Sequence, residues 1–381
     1  MKLALFNLGR RHKQAGFSFD RPLVVLQSDD WGRVGVCDQV GYEHLRSEGI
    51  ALGQHPYDSY TLEAAEDVIA VRDLMSRHRD CTGRAACVAM NFVVSNVDFA
   101  KTLEDHCRRI HLQPLSRGLP QGWNRPGLLE AYRQGIADGV FYPALHGVTH
   151  FCRSAVEDAL SSNAERAALL RKFWAARTPY IHWRMPWVGY EYYNPGNSQF
   201  IPALQQQNLI RDGIEGFANL FSSFPRSACA PGYRANGDTH KAWSEQGIRV
   251  AQNGSGAPLP PFIDEWGILN LQRTVDFEPS QRDLPVEKYL ELAGNCFARG
   301  APVVVSVHAI NFHSSLRNFR DPTIQALHQL LSALESKYPD LLYVHDEDVY
   351  QIVTSGKYQS TQGTVTVNVK QAGSMATAGA K

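Results

Sequence analysis

The chain has 381 residues, 44% of them hydrophobic and 20% charged, with 38 Lys+Arg against 38 Asp+Glu. This is the composition of a globular protein with a large core, and its balanced charge offers no net attraction to nucleic acid or anionic lipid. No apolar run approaches the ~20 residues of a membrane span. The first residues, through Arg11, carry an apolar patch too short for a secretory leader, so the expected location is cytoplasmic. Seven scattered cysteines without a Cys-x-x-Cys pair argue for reduced thiols packed as small core residues, against a disulfide framework or a cysteine-built zinc site.

The run Pro22–Leu26 reads as a strand buried on both faces, and it ends abruptly on Asp29-Asp30-Trp31-Gly32. Adjacent carboxylates at a strand end point in different directions, so one can hold a cation while the other faces a substrate. Helices are predicted over 39–48 and 62–75, then a buried strand over 85–94. A Pro- and Gly-bearing loop (114–126) leads to a helix over 127–137. The short strand 141–145 delivers His146-Gly147-Val148-Thr149-His150, and a long amphipathic helix is predicted over 154–176. The segment 177–202 breaks the rhythm. It is aromatic and turn-rich, and reads as an insertion loop that either packs against the scaffold or stacks on sugar rings.

Alternation then resumes: a helix through Phe221, the stretch 227–236, a helix to Gln246, strands at 248–252 and 267–275, a helix over 286–298, and the strand 302–308 ending on His308. A helix over 321–337 and a last core strand at 341–344 follow, then a charged helix start at His345-Asp346-Glu347-Asp348. About seven strands alternate with helices, the pattern of a parallel sheet, open or closed into a barrel. Residues 1–354 therefore read as one domain. Residues 355–381, rich in Ser, Thr, Gly, Ala and Gln, read as a low-complexity tail, disordered or loosely docked.

His146 and His150, four apart around a glycine, can reach one ion from a single turn. With a strand-end carboxylate they make a facial set of two imidazoles and one acid, which leaves positions open for water and substrate. His308, at the end of another apolar strand, is a candidate acid or base.

These stretches resemble a known family. Ser28-Asp29-Asp30-Trp31-Gly32 resembles the Thr-Phe-Asp-Asp-Gly first motif of the NodB-like polysaccharide deacetylases, carbohydrate esterase family four. His146-Gly147-Val148-Thr149-His150 resembles their His-Ser/Thr-x-x-His second motif, and Val305-Ser306-Val307-His308 the fifth. The resemblance spans about residues 20 to 350. It implies a distorted, roughly seven-stranded (β/α) barrel with a divalent metal, usually zinc. By matching position, Asp29 would be the general base, Asp30, His146 and His150 would hold the metal, and His308 would be the acid. The implied reaction removes an acetyl group from an acetylated amino sugar or glycan.

The sequence also departs from that pattern. The third motif, Arg-x-Pro-Tyr/Phe, has two candidates: Pro231-Gly232-Tyr233-Arg234, which lacks the arginine ahead of the proline, and Arg184-Met185-Pro186-Trp187 in the aromatic loop. The former is favoured, with Arg184 supplying charge from the loop. In the fourth motif Arg273 and Asp276 are the candidates for orienting Asp29. Trp31 replaces the usual glycine and is expected to crowd the mouth. Trp31, Arg184, Trp187, Pro231, Gly232, Tyr233, Arg234 and Asn311 are thus expected to bind substrate. Hydrolysis of a non-sugar amide, or an inactive carbohydrate-binding barrel, are the competing readings. Oligomeric state is left open.

Overall fold

The computed structural model describes residues 16–256, 259–282, 284–360 and 363–371. Seven strand positions form its centre: β1 (Leu23–Trp31), β2 (Val88–Phe92), β3 (Phe141–Leu145), β4 (Ser227–Cys229), β5 (Val250–Asn253), β6 (Leu269–Gln272) and β7 (Val303–His308). They pair in parallel, in the order β6-β5-β4-β3-β2-β1-β7. After two intervening residues, Arg273 and Thr274, the strand β6 continues as Val275–Asp276, which pairs in parallel with β7.

That continuation closes the ring. The backbone N–H of Arg273 bonds to Asn253 of β5, whereas that of the next residue, Thr274, bonds to Val304 of β7. One stretch of chain therefore serves both ends of the sheet, giving the expected seven-stranded barrel. The predicted strand 341–344 is reduced to Leu342–Tyr343, which pairs only with the first two residues of β1.

The strands alternate as a pleated ribbon requires. Val24 and Leu26 of β1 face outward into the main core with Val88, Met90, Val303 and Val305. Leu23 and Val25 face inward, where they meet Val250, Leu269, Leu271 and Val304. The inner face is thus apolar at one end, while further along the same strands it carries Gln27, Asn91, Ser227, Gln252 and Arg273, all buried. The helix Asp346–Ser355 plugs the apolar end with Val349 and Ile352.

Two sequence expectations change. The single helix over 154–176 is two, Arg153–Ser162 and Ala164–Ala175, because the Asn163 side chain caps the second by accepting from Arg166 N–H. The segment read as a low-complexity tail from 355 is built into the fold as far as Gln371. Lys357–Ser360 and Gly363–Thr366 form a hairpin, Val369–Gln371 pairs with Phe17–Phe19, and Tyr358 and Val367 are buried beneath the plug. Residues 372–381 lie outside the described residues. No helix among the described residues is long and apolar enough to cross a membrane.

Candidate active site at the barrel mouth

Strand β1 does not end in simple alternation. Its register against β2 runs Ser28 to Met90 and then Trp31 to Phe92, so Asp29 and Asp30 together face the single residue Asn91. Such a bulge adds one residue and reverses the facing of everything beyond it. Asp30 takes a φ of 76°, left-handed and costly for a residue with a Cβ, as does His150 with a φ of 70°. Asp29 and Asp30 both reach the mouth as a result. Trp31, expected there, turns outward instead: it is fully buried, stacked on Phe312 and edge-on to Tyr132. It packs the scaffold and leaves the mouth clear.

Asp29 is gripped by Arg273, whose two terminal nitrogens each donate to one carboxylate oxygen at 2.6 Å. Asn91 Nδ2 adds a third donor at 2.7 Å, and the Tyr233 hydroxyl lies at 3.5 Å. Burial alone would raise this carboxyl, but Arg273 outweighs it and holds Asp29 well below the usual carboxylate range. Arg273 is itself fully buried. It supplies the charge that the third-motif stretch lacks. Arg184 does not: it is committed to Asp58 at 2.6 and 2.9 Å. Asp276, the other candidate for orienting Asp29, accepts from the Ser255 hydroxyl.

Asp30 Oδ1 lies 3.6 Å from His146 Nε2 and 3.2 Å from His150 Nε2, the three donor atoms falling within 4.8 Å of one another. The second nitrogen of each ring is already engaged: His146 Nδ1 with the Cys229 carbonyl at 2.8 Å, His150 Nδ1 with the Tyr180 hydroxyl at 3.0 Å. That fixes both rings with Nε2 turned inward, as the groups that hydrogen-bond the far nitrogen of metal-binding histidines do. Asp30 Oδ1 is buried with no hydrogen-bond partner among the described residues. An orphaned carboxylate oxygen facing two oriented imidazoles fits a divalent cation. The other oxygen, Oδ2, pairs with Arg33 at 3.3 Å. Arg33 lies under the Tyr60 ring at 4.1 Å and donates to the Tyr180 hydroxyl at 3.1 Å.

The loop carrying both histidines is held by Glu191, which sequence reasoning missed. Its buried carboxylate accepts from the N–H groups of Val148, at 2.8 Å, and Thr149, at 3.1 Å. Burial pushes it up to about 7 against those donors. A Cβ at position 147 would lie 1.8 Å from Glu191 Oε2, which explains the glycine there. Glu191→Gln replaces half of this acceptor with a donor. Metal affinity is expected to fall roughly ten- to a hundredfold, the usual loss when a ligand's support is removed, as read by competition with a chromophoric chelator.

His308 stands opposite Asp29 in register, its Nε2 at 3.9 Å from Asp29 Oδ2. Its Nδ1 bonds to Glu278 Oε1 at 2.5 Å, another partner missing from the sequence reading. Burial lowers the ring's affinity for a proton, but Glu278 overrides it and lifts His308 from 6.5 to about 9. A raised value in the folded state means that the protonated pair stabilises the fold below about pH 6.5, and that this contribution is lost as pH rises through about 9. In Glu278→Gln the ring should fall back toward its ordinary value, moving the alkaline limb of kcat/KM downward from about 9. A pH–rate profile of both proteins checks this.

The remaining candidates are spread differently. Asn311 is fully buried, donating to Glu278 at 2.6 Å and accepting from Ser280 N–H at 2.9 Å, so it braces Glu278. Pro231 and Gly232 form a tight turn on which the Tyr190 ring rests, and Tyr233 carries its hydroxyl to Arg273 at 2.6 Å. Arg234 lies over the Tyr193 ring, and Trp187 under Arg166.

No protein-family model and no curated protein matches the sequence. Solved structures do. A candidate glycoside hydrolase/deacetylase from Parabacteroides distasonis superposes with a TM-score of 0.51 at 12% identity, over 93% of this chain and 75% of that one. The fold is of the deacetylase barrel type. A candidate polysaccharide deacetylase from Mycobacterium smegmatis gives a TM-score of 0.48 at 12% identity, over 90% and 94% of the two chains. One from Pseudomonas aeruginosa gives 0.47 at 12%, over 88% and 92%. Identity this low speaks to the fold alone.

Proposed function

We propose that the protein is a metal-dependent hydrolase that removes an acyl group, acetyl above all, from an amino sugar or a glycan precursor. The observation that carries this reading is convergence. A carboxylate locked to a buried arginine, a three-donor cation site and a histidine–glutamate pair meet at one barrel mouth, although they come from five different strand ends and loops. Asp30, His146 and His150 would hold the cation, and two imidazoles with one carboxylate suit zinc. Bound there, the cation would polarise the acyl oxygen and acidify water.

The chain's own groups do the rest. Asp29, its carboxyl held down by Arg273, is the acceptor for the water's proton. The hydroxyl joins the acyl carbon as the C–N bond breaks. His308, protonated up to about 9, gives its proton to the departing amine. Glu278 keeps that ring oriented and charged, while Arg273 keeps Asp29 in place.

The test is zinc binding by equilibrium dialysis, followed by acetate release from N-acetylated sugars beside a panel of small non-sugar amides. Asp30→Ala and His150→Ala should each lose zinc and turnover together. Wild-type zinc affinity in both variants would refute the site, and turnover confined to the non-sugar amides would refute the substrate class.

A further inference from the structure

The mechanism above leaves unused a buried carboxylate at the far end of the barrel. Asp346 is the first residue of the plugging helix and is fully buried. We propose that Asp346 is a positioning residue for Asp29, acting down the barrel axis by fixing the Gln27 and Gln252 amides and, through them, the Arg273 guanidinium. The inference rests on the assignment of Asp29 as the base.

The hydrogen bonds run in one direction. Asp346 Oδ1 accepts from Gln27 Nε2 at 2.7 Å, and Oδ2 accepts from Gln252 Nε2 and the Ser227 hydroxyl, both at 2.6 Å. An amide that turns its NH2 to a carboxylate must turn its carbonyl the other way. Both carbonyls meet Arg273: Gln27 Oε1 accepts from Nε at 3.0 Å, Gln252 Oε1 from a terminal nitrogen at 3.0 Å. The guanidinium is thereby held with its two terminal nitrogens on Asp29. Gln252 Oε1 also accepts from Asn91 Nδ2, the same group that donates to Asp29.

An ionised carboxylate offers only acceptors, whereas an amide offers both kinds of group. Asp346 at one end and the donor-only guanidinium at the other therefore select one amide orientation from two. For Gln252, Asn91 Oδ1 adds to this by accepting from Nε2 at 2.9 Å, whereas Gln27 Nε2 has Asp346 as its acceptor. With either amide reversed, an NH2 would face the guanidinium, donor against donor, in a site closed to water.

Asp346→Asn keeps the shape but brings an NH2 into the cluster, so that one glutamine must turn. In this variant kcat should fall roughly ten- to a hundredfold, the scale of a misplaced catalytic group, with KM unchanged. The Arg273 Nε–H resonance of 15N-arginine protein, assigned by its absence in Arg273→Lys, should shift and lose protection from exchange. Asp346→Asn/Gln27→Glu restores the pattern, because the new carboxylate accepts from both the new amide and Arg273 Nε. Both readouts should recover. Arg84→Lys, which weakens another anchor of the same helix at Asp348 and bonds to neither glutamine, should leave them unchanged.

A folded Asp346→Asn protein with wild-type kcat and Arg273 signal would overturn the proposal, as would a folded double variant that recovers neither. If Asp346→Asn does not fold, the double variant decides: recovery of the signal supports the proposal, and failure of both to fold reduces Asp346 to an anchor. The arginine signal is read without substrate. A wild-type protein inert on every acylated compound would therefore refute the proposed function, while the arginine signal would still report whether Asp346 sets the guanidinium on Asp29.

Discussion

Asp29→Asn is expected to lower kcat between about a hundredfold and ten-thousandfold, the range for a lost general base. The substitution keeps the side chain's volume and one acceptor for Arg273, but it removes the mouth carboxylate that lies outside the Asp30–His146–His150 cluster and within reach of His308. Zinc affinity should be nearly preserved, since Asp30, His146 and His150 are untouched. Turnover per bound zinc is the quantity to measure. Equal losses of metal and activity would mean that Asp29 belongs to the cation site.

Arg273→Met is expected to cost about 3–5 kcal/mol of stability, because it leaves a buried carboxylate with only the Asn91 amide and the more distant His308 ring to offset its charge. Urea unfolding at neutral pH reads this directly. The pH dependence supplies the sign. Asp29 is depressed in the folded protein, so its pairing stabilises above the usual carboxylate value of 3.8 and is lost as pH falls below it. The gap between wild type and variant should therefore narrow on acidification. With Arg273 gone, burial is opposed only by the weaker pull of His146 and His308, so the Asp29 carboxyl rises and the ionised acceptor that the proposed reaction needs is depleted.

What the sequence made legible follows the regularity of the strands. Apolar runs ending on Asp29, His146 and His308 marked the strand ends that meet at the mouth, because a buried parallel strand announces itself by composition. The inward facing of Arg273 is continuous with that of Leu269 and Leu271. The failures cluster where alternation breaks. The bulge at Asp29–Asp30 turns Trp31 out of the mouth, and nothing in the residues themselves reports that extra unit. At Arg273–Thr274 the strand changes partners, and Val275 and Phe277 then face the outer core. The acid that reaches His308 is therefore Glu278, two residues beyond Asp276, for which the motif pattern implied a different task, the orienting of Asp29. Glu191 was hidden for another reason. It acts on backbone N–H groups, which carry no sequence signature, from an aromatic loop 42 to 43 residues further along the chain.

The partner change in β6 has a consequence for how the molecule opens. An open sheet frays from its outer strands, where one row of amides is unpaired. Here the strand that would be outermost is bonded on both sides, by Arg273 toward one neighbour and Thr274 toward the other. Among the described residues, the rim left to thermal breathing on that side is the short strand Phe262–Ile263, appended antiparallel to β6 outside the ring. Amide protons of β1 and β7 should exchange with deuterium only through whole-molecule unfolding, with those of Arg273 and Thr274 among the slowest.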